Sequence, residues 1–375
     1  MNQKTGYFFV KNTHHKKLTS LNIIYHTGPA YESRGRRGIA HLMEHMITKC
    51  IDKYQAQFTR DCIIFNALTS TNYIKVYFNG IAEKLTPELK QQLVKELLSS
   101  FKELTPEDYK HEQDVVLQEI SDDFNSPDDG FLSNILYNYY NITLPLGTPK
   151  DVGNFTYEQA KELAENFFSK PAQIIECGDE PTDFSFVEYN TKEPFPSLIW
   201  YKERNRKVME ETPSNKCIIY AMNRKLIKKT DYIFMKVGLL MLANGASDCP
   251  LYDEIRNKRG LSYYAYGDLI NFDKTSLMYL TASTDKENSE ELKTVMMDIC
   301  RNVKNYLTKE RYDTIIDMLT TKRKLNKYSN WSNVDEHILP MFPKLTKKSM
   351  ALLSYDRVVG TMEKYFYSLE FYTQE

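Results

Sequence analysis

The residues best equipped for chemistry lie in the stretch GIAHLMEHM, Gly38 to Met46, where His41 and His45 stand four apart and Glu44 directly precedes the second histidine. On a helix advancing about 100° per residue, His45 falls about 40° from His41 and Glu44 about 60° to the other side, so all three project onto one face. Two imidazoles at that spacing can close on one zinc ion, and a carboxylate on the same arc can reach water held there without becoming a ligand. The pattern H-x-x-E-H inverts the H-E-x-x-H zincin motif. The competing reading is an ordinary helix that happens to carry two of the chain's 7 histidines. A catalytic zinc also wants a third protein ligand, with the fourth position left for water. Candidates stand in EDYKHEQDVVLQEISDD, where Glu112 and Glu119 are seven apart and share a helix face, while Val115, Val116 and Ile120 mark an apolar side. Long helices carry many solvated carboxylates, so this pair alone decides nothing.

These side chains need elements to hold them. LTSLNIIYH alternates as a strand, and the polar turn GPAYESRGRRG leads into a helix beginning near Ile39. A helical stretch follows around Asp52 to Asp61, then one strand-like run NALTSTNYIKVYFNG (Asn66 to Gly80) and a helix over Pro87 to Lys102. Thr105-Pro106-Glu107 is a helix-start signal for a long helix through about Phe124. The pattern is helical again from Pro127 to about Tyr140, LPLGTPKDVGN reads as a loop, and YEQAKELAENFFSK is amphipathic before the strand AQIIECGD. The second half repeats this kind of order, with strand CIIYAMN, a helix from Thr230 to Leu242, a helix ending at Lys258, strands LSYYAYGDL and SLMYLTAST, further helices, and a last strand near SLEFYT. Strands and helices mix without strict βαβ alternation, which predicts an α+β fold. The expected division is an N-terminal α+β domain over 1–185, a linker over 186–214 in which SLIWY is a strand candidate, and a C-terminal α+β domain over 215–375. No sequence repeat relates the halves.

At 375 residues the chain exceeds what one core usually organises, and 42% hydrophobic with 26% charged residues is the composition of a soluble globular protein. Lys plus Arg (49) nearly cancels Asp plus Glu (50), so no field of one sign exists to hold a nucleic-acid backbone or an anionic membrane surface. Six scattered cysteines without a C-x-x-C pair read as reduced thiols. MNQKTGYFFVKNTHHKKLTS has no apolar core of signal-peptide length and no later run approaches a membrane span, so a cytoplasmic protein is expected.

GIAHLMEHM, the NALTS strand start and the E-x6-E pair together resemble the pitrilysin/insulinase family of zinc metallopeptidases, the inverzincins. HTGPAYESRGRRGIAHLMEHM, PLGTPKDVGN, the strand ending ECGD, and LLANGASDCPLYDEIRNKRGLSYYAYGD look like family blocks in family order. The resemblance implies one Zn2+ per chain, bound by His41, His45 and Glu119, with Glu44 as the general base toward water activated there. It makes Glu112 the carboxylate that orients a ligating histidine. From the second half it implies an Arg and a Tyr seven positions apart as donors to the oxyanion, which in IRNKRGLSY are Arg256 and Tyr263, with Arg259 and Tyr264 as decoys. Without the family, this stretch is a basic helix end running into an aromatic strand. Asn66 and Ala67 would begin an exposed edge on which substrate lies as an added strand.

The sequence departs from the family pattern at ITKC (47–50) and CPL (249–251), and the spacing from His45 to Glu119 is slightly short. The implied fold is two related α/β-sandwich domains, each a mostly antiparallel sheet packed with helices, together one half of a clamshell chamber. The implied activity is zinc endopeptidase action on unfolded peptides or short precursor segments. A homodimer would complete the chamber, since the chain carries both the metal motif and the Arg/Tyr pair; the alternatives are a heterodimer with a related subunit and a non-catalytic structural or peptide-binding subunit.

Overall fold

Alternation along strand β2 (Leu18–Tyr25) points Leu21, Ile23 and Tyr25 to one side, and all three are fully buried. In the computed structural model, which describes residues 6–12, 17–32, 35–125, 127–140, 145–190, 216–244, 248–272, 275–326, 338 and 347–374, that side faces the first core. The sheet adds β1 (Gly6–Lys11), β3 (Ile64–Thr69), β4 (Ile74–Ile81) and β5 (Gln173–Gly178) in the order β1-β5-β2-β4-β3. Only β1 and β5 run parallel. The register Leu21↔Phe78, Ile23↔Val76 and Phe65↔Phe78 stacks apolar side chains on the helix side.

Helices α1 (Ile39–Thr48), α2 (Gln55–Asp61), α3 (Pro87–Leu98) and α4 (Pro106–Asn125) cover that side. Leu42, Met43 and Met46 of α1, Leu93 and Val94 of α3, and Val116 and Ile120 of α4 are all fully buried in the same core. Each such side chain contributes on the order of 1.5–3 kcal/mol relative to exposure, so both helices of the predicted metal site are fixed by packing rather than by propensity. The start of α4 is set by Thr105, whose hydroxyl accepts the Asp108 N–H at 3.1 Å while the Asp108 carboxylate accepts the Thr105 N–H at 3.1 Å.

A second sheet carries β6 (Lys216–Asn223), β7 (Ile227–Lys228), β8 (Ala265–Phe272), β9 (Thr275–Asp285) and β10 (Leu369–Gln374), all antiparallel, ordered β10-β6-β9-β7 with β8 also on β9. Helices Tyr232–Leu239, Ser289–Arg301 and Tyr355–Phe366 pack Met235, Met296 and Met362 against Ile219, Met278 and Leu280. The chain divides into two units: Met1–Asn125, Tyr140–Arg204 and Lys324–Pro340 form one, and Ser126–Tyr139, Asn205–Arg323 and Met341–Glu375 the other. The α+β class and mostly antiparallel sheets match expectation. Among the described residues no helix is long and apolar enough to cross a membrane.

Several elements differ from the sequence reading. The run Asn66 to Gly80 is two strands, since Ser70 donates its N–H to the Tyr73 carbonyl at 2.8 Å and closes a hairpin between β3 and β4. Within LPLGTPKDVGN, Pro149–Asn154 is a helix whose Thr148 hydroxyl accepts the Asp151 N–H at 3.2 Å, with proline in the first turn where its missing N–H costs nothing. The strand expected at LSYYAYGDL begins only at Ala265. Strand β1 had no sequence assignment; its pairing is with β5, about 165 residues downstream, a partner that local pattern does not name. The linker expectation and SLIWY fall largely on 191–215, outside the described residues.

Candidate metal centre

Helix α1 begins at Gly38, whose φ of 87° lies in the left-handed region open to glycine. A Cβ there would sit 2.4 Å from the Leu146 carbonyl oxygen and 2.9 Å from the Gly147 Cα, so two glycine backbones pass in contact. Glu32, buried, accepts the Gly38 N–H at 2.8 Å and the Ala40 N–H at 2.7 Å, and Asp151 accepts the Arg37 N–H at 3.1 Å. Two of the first-turn donors of α1 are thereby satisfied and its start is pinned. Burial pushes the Glu32 carboxyl up to about 7, against the pull of those two N–H groups.

From that start, His41 and His45 come onto the face of α1 opposite Glu119 and Glu112 of α4. His41 Nε2 lies 3.5 Å and His45 Nε2 3.7 Å from Glu119 Oε2. The two imidazoles meet edge to face at 4.9 Å between ring centres, and ligand atoms of His41, His45 and Glu119 all lie within 4.8 Å of one another. The two His–Glu119 separations exceed a normal hydrogen bond and approach the ~3.3 Å between ligands that tetrahedral zinc at ~2.05 Å requires. Two nitrogens and one carboxylate oxygen form the donor set of a catalytic zinc, so the residues present fit the ion. Burial, then the neighbouring His45, push His41 down to about 4, which leaves it neutral and able to ligate at neutral pH.

His45 uses its other nitrogen. Its Nδ1 lies 3.2 Å from Glu112 Oε2, and Glu112, held down at about 2 first by that contact and then by Lys49, can only accept, so Nδ1 carries a hydrogen and the neutral ring would present its lone pair at Nε2. Burial would lower the His45 pKa, but the Glu112 bond and the Glu119, Glu44 and Glu112 charges raise it overall. Among the described residues no group hydrogen-bonds to the buried His41 Nδ1, so packing and the Glu119 contact at Nε2 orient that ring.

Glu44 is buried, and burial raises its pKa against the opposing effect of a 2.5 Å hydrogen bond donated by the Thr69 hydroxyl. Thr69 was not among the sequence candidates; the signal was present in NALTS, three residues after Asn66, but nothing local says that β3 ends beside α1. Lys49 is the second addition, its Nζ 2.9 Å from Glu112 Oε1 and 3.0 Å from Asp52 Oδ2. Asn66 and Ala67 lie on β3, which has β4 as its one neighbour among the described strands, and Asn66 Oδ1 accepts the Ala67 N–H at 2.8 Å.

In the second unit, Arg256 lies over the Tyr263 ring, 4.4 Å from its centre, so the structure brings these two candidates together. The decoy Arg259 is tied to the Glu254 carboxylate at 2.5 Å and its carbonyl at 2.8 Å.

The comparisons agree with this architecture. Residues 7–150 match the family model described as insulinase (peptidase family M16), and residues 152–319 that described as peptidase M16 inactive domain. The chain belongs to the M16, or pitrilysin/insulinase, family. Among its relatives is a Bacillus subtilis protein named uncharacterized zinc protease YmxG, 21% identical over 77% of this chain and 74% of its own. A protease from Helicobacter pylori shares the fold with a TM-score of 0.80 at 15% identity, covering 100% of this chain and 98% of its own. The periplasmic protease PqqL from Escherichia coli matches with a TM-score of 0.69 at 11% identity over 97% of this chain, which spans 43% of that protein.

Proposed function

We propose that this chain is a zinc-dependent endopeptidase acting on unfolded peptides or short precursor segments. The observation that carries the reading is the convergence of His41, His45 and Glu119 beside a buried carboxylate, Glu44, that a strand-end hydroxyl holds in place. Bound zinc would supply Lewis acidity, lowering the pKa of water toward neutrality and polarising a peptide carbonyl. His41, His45 and Glu119 would hold the ion, and Glu112 fixes the tautomer of His45. Glu44, its pKa raised by burial, accepts a proton and returns it to the leaving amine. Arg256 and Tyr263 donate hydrogen bonds to the developing oxyanion, and β3 holds the substrate main chain as an added strand.

The length relation to PqqL supports two copies of such a chain acting together, with Arg256 and Tyr263 serving the metal centre of the partner. A heterodimer with a related subunit is the variant of this arrangement. The name of the second family model favours a non-catalytic reading for its own region, but His41, His45, Glu44 and Glu119 all lie in the region matched by the insulinase model.

The test is elemental analysis of the purified protein together with cleavage of an internally quenched peptide, with and without chelator. The expected result is one zinc per chain and chelator-sensitive cleavage, with Glu44→Gln keeping the zinc and losing turnover by about 100-fold or more. Absence of zinc would refute the reading, and zinc without cleavage by the purified chain or its complexes would leave only a binding role.

A further inference from the structure

Arg256 is held in an unusual way for a cation on an acidic helical turn. The segment Pro250–Asn257 carries Asp253 and Glu254, yet both are occupied by other cations: Lys258 Nζ is 3.1 Å from Asp253 and 2.6 Å from Glu254, and Arg259 is 2.5 Å from Glu254. Among the described residues no carboxylate lies within ion-pair distance of Arg256. Its guanidinium instead sits over two rings, 5.0 Å from the centre of Tyr252 and 4.4 Å from that of Tyr263, both inside the ~6 Å reach of a cation–π contact.

A ring face attracts the charge without consuming it or taking up the planar fork of N–H donors, whereas a carboxylate would do both. The two rings differ in footing. Tyr263 is 79% exposed, while Tyr252 is half-buried one turn before Arg256, beside the fully buried Leu251. Tyr252 is the fixed wall of the clamp.

We propose that Tyr252 is a positioning residue, its ring face holding the Arg256 guanidinium uncompensated and aimed for an incoming oxyanion. This rests on the oxyanion role proposed above for Arg256. A π face is what matters, so Tyr252→Phe keeps function and Tyr252→Leu loses it. In steady-state cleavage of an internally quenched peptide by the zinc-loaded protein, Tyr252→Leu lowers kcat by about five- to tenfold with KM changed less than twofold, while Tyr252→Phe matches wild type.

A second readout does not require turnover. With arginine labelled in 15N, the Arg256 Nε–Hε signal, identified by its disappearance in Arg256→Lys, should be displaced by the ring currents of both tyrosines in wild type and Tyr252→Phe. An undisplaced signal in the wild-type protein would overturn the clamp even if Tyr252→Leu failed to fold. If Arg256→Lys abolishes cleavage while folded Tyr252→Leu cleaves normally, Tyr252 has no positioning role and the oxyanion assignment stands. If Arg256→Lys cleaves normally, the oxyanion assignment falls and this inference with it.

Discussion

Replacing Glu112 with glutamine keeps its shape and one acceptor oxygen while removing its charge, and so isolates what that charge does for zinc. The Glu112 carboxyl lies at about 2 against an ordinary 4.5. At 1.36 kcal/mol per pH unit, that difference is roughly 3 kcal/mol of preference for the ionised form. Part belongs to Lys49, 2.9 Å from Oε1, and part to a protonated His45 that a bound metal would replace with the neutral ring. What remains is the charge assistance of one hydrogen bond to neutral imidazole, roughly 1.5 kcal/mol. Glu112→Gln should therefore weaken zinc binding about tenfold, at the low end of the 10–100-fold carried by partners of metal-ligating histidines. Competition with a chromophoric zinc chelator at fixed pH measures it, and thermal melts of the metal-free proteins check that folding is unaffected. Zinc affinity within twofold of wild type would show that Glu112 does not act on the metal through His45.

Thr69→Val removes the hydroxyl that holds Glu44 and should lower kcat about tenfold with zinc content unchanged, Thr69→Ser restoring most of it; equal kcat in Val and wild type would mean that Glu44 needs no such support. Glu32 gives a pH effect of opposite sign to most acids. Its folded pKa of about 7 lies above the ordinary 4.5, so its contribution is fully present below that ordinary value and is lost as pH rises through 7, a swing of roughly 3 kcal/mol. Urea unfolding at pH 5 and pH 8 should show wild type losing stability relative to Glu32→Gln across that interval, and a parallel pH dependence in both proteins would show that Glu32 does not titrate there.

What the sequence disclosed depended on whether the determinant was local. The period of α1, its histidines and the Thr105 start of α4 are written within a few residues, and each lies where periodicity and capping put it. β1 escapes a local reading because its partner is β5, and the β3–β4 hairpin reads as one run because STNY offers no Asn-Gly or Asp-Gly turn pair. Pro149–Asn154 was hidden behind a Gly-Thr-Pro loop signature that also serves as a helix start. Thr69 and Lys49 stood inside stretches already in view, NALTS and ITKC, but their partners, Glu44 and Glu112, are reached only when β3 and α4 are folded beside α1.

The pairing of α1 with α4 also explains how one short motif makes two chemically different histidines. His41 and His45 of α1, and Lys49 at its C-cap, follow at four-residue intervals against Glu119 and Glu112 in reverse order on α4, so the helices run antiparallel with their polar faces in register. His41 is in the first turn, where burial and then the neighbouring His45 disfavour a second proton, and among the described residues no group hydrogen-bonds to its Nδ1. His45 is in the last turn, at the negative end of the helix dipole, and Glu112 waits on Nδ1. One ring is neutral by environment and the other is oriented by a charge, while both turn Nε2 toward Glu119. The spacing of the motif brings the two rings together; the opposing helix makes them inequivalent.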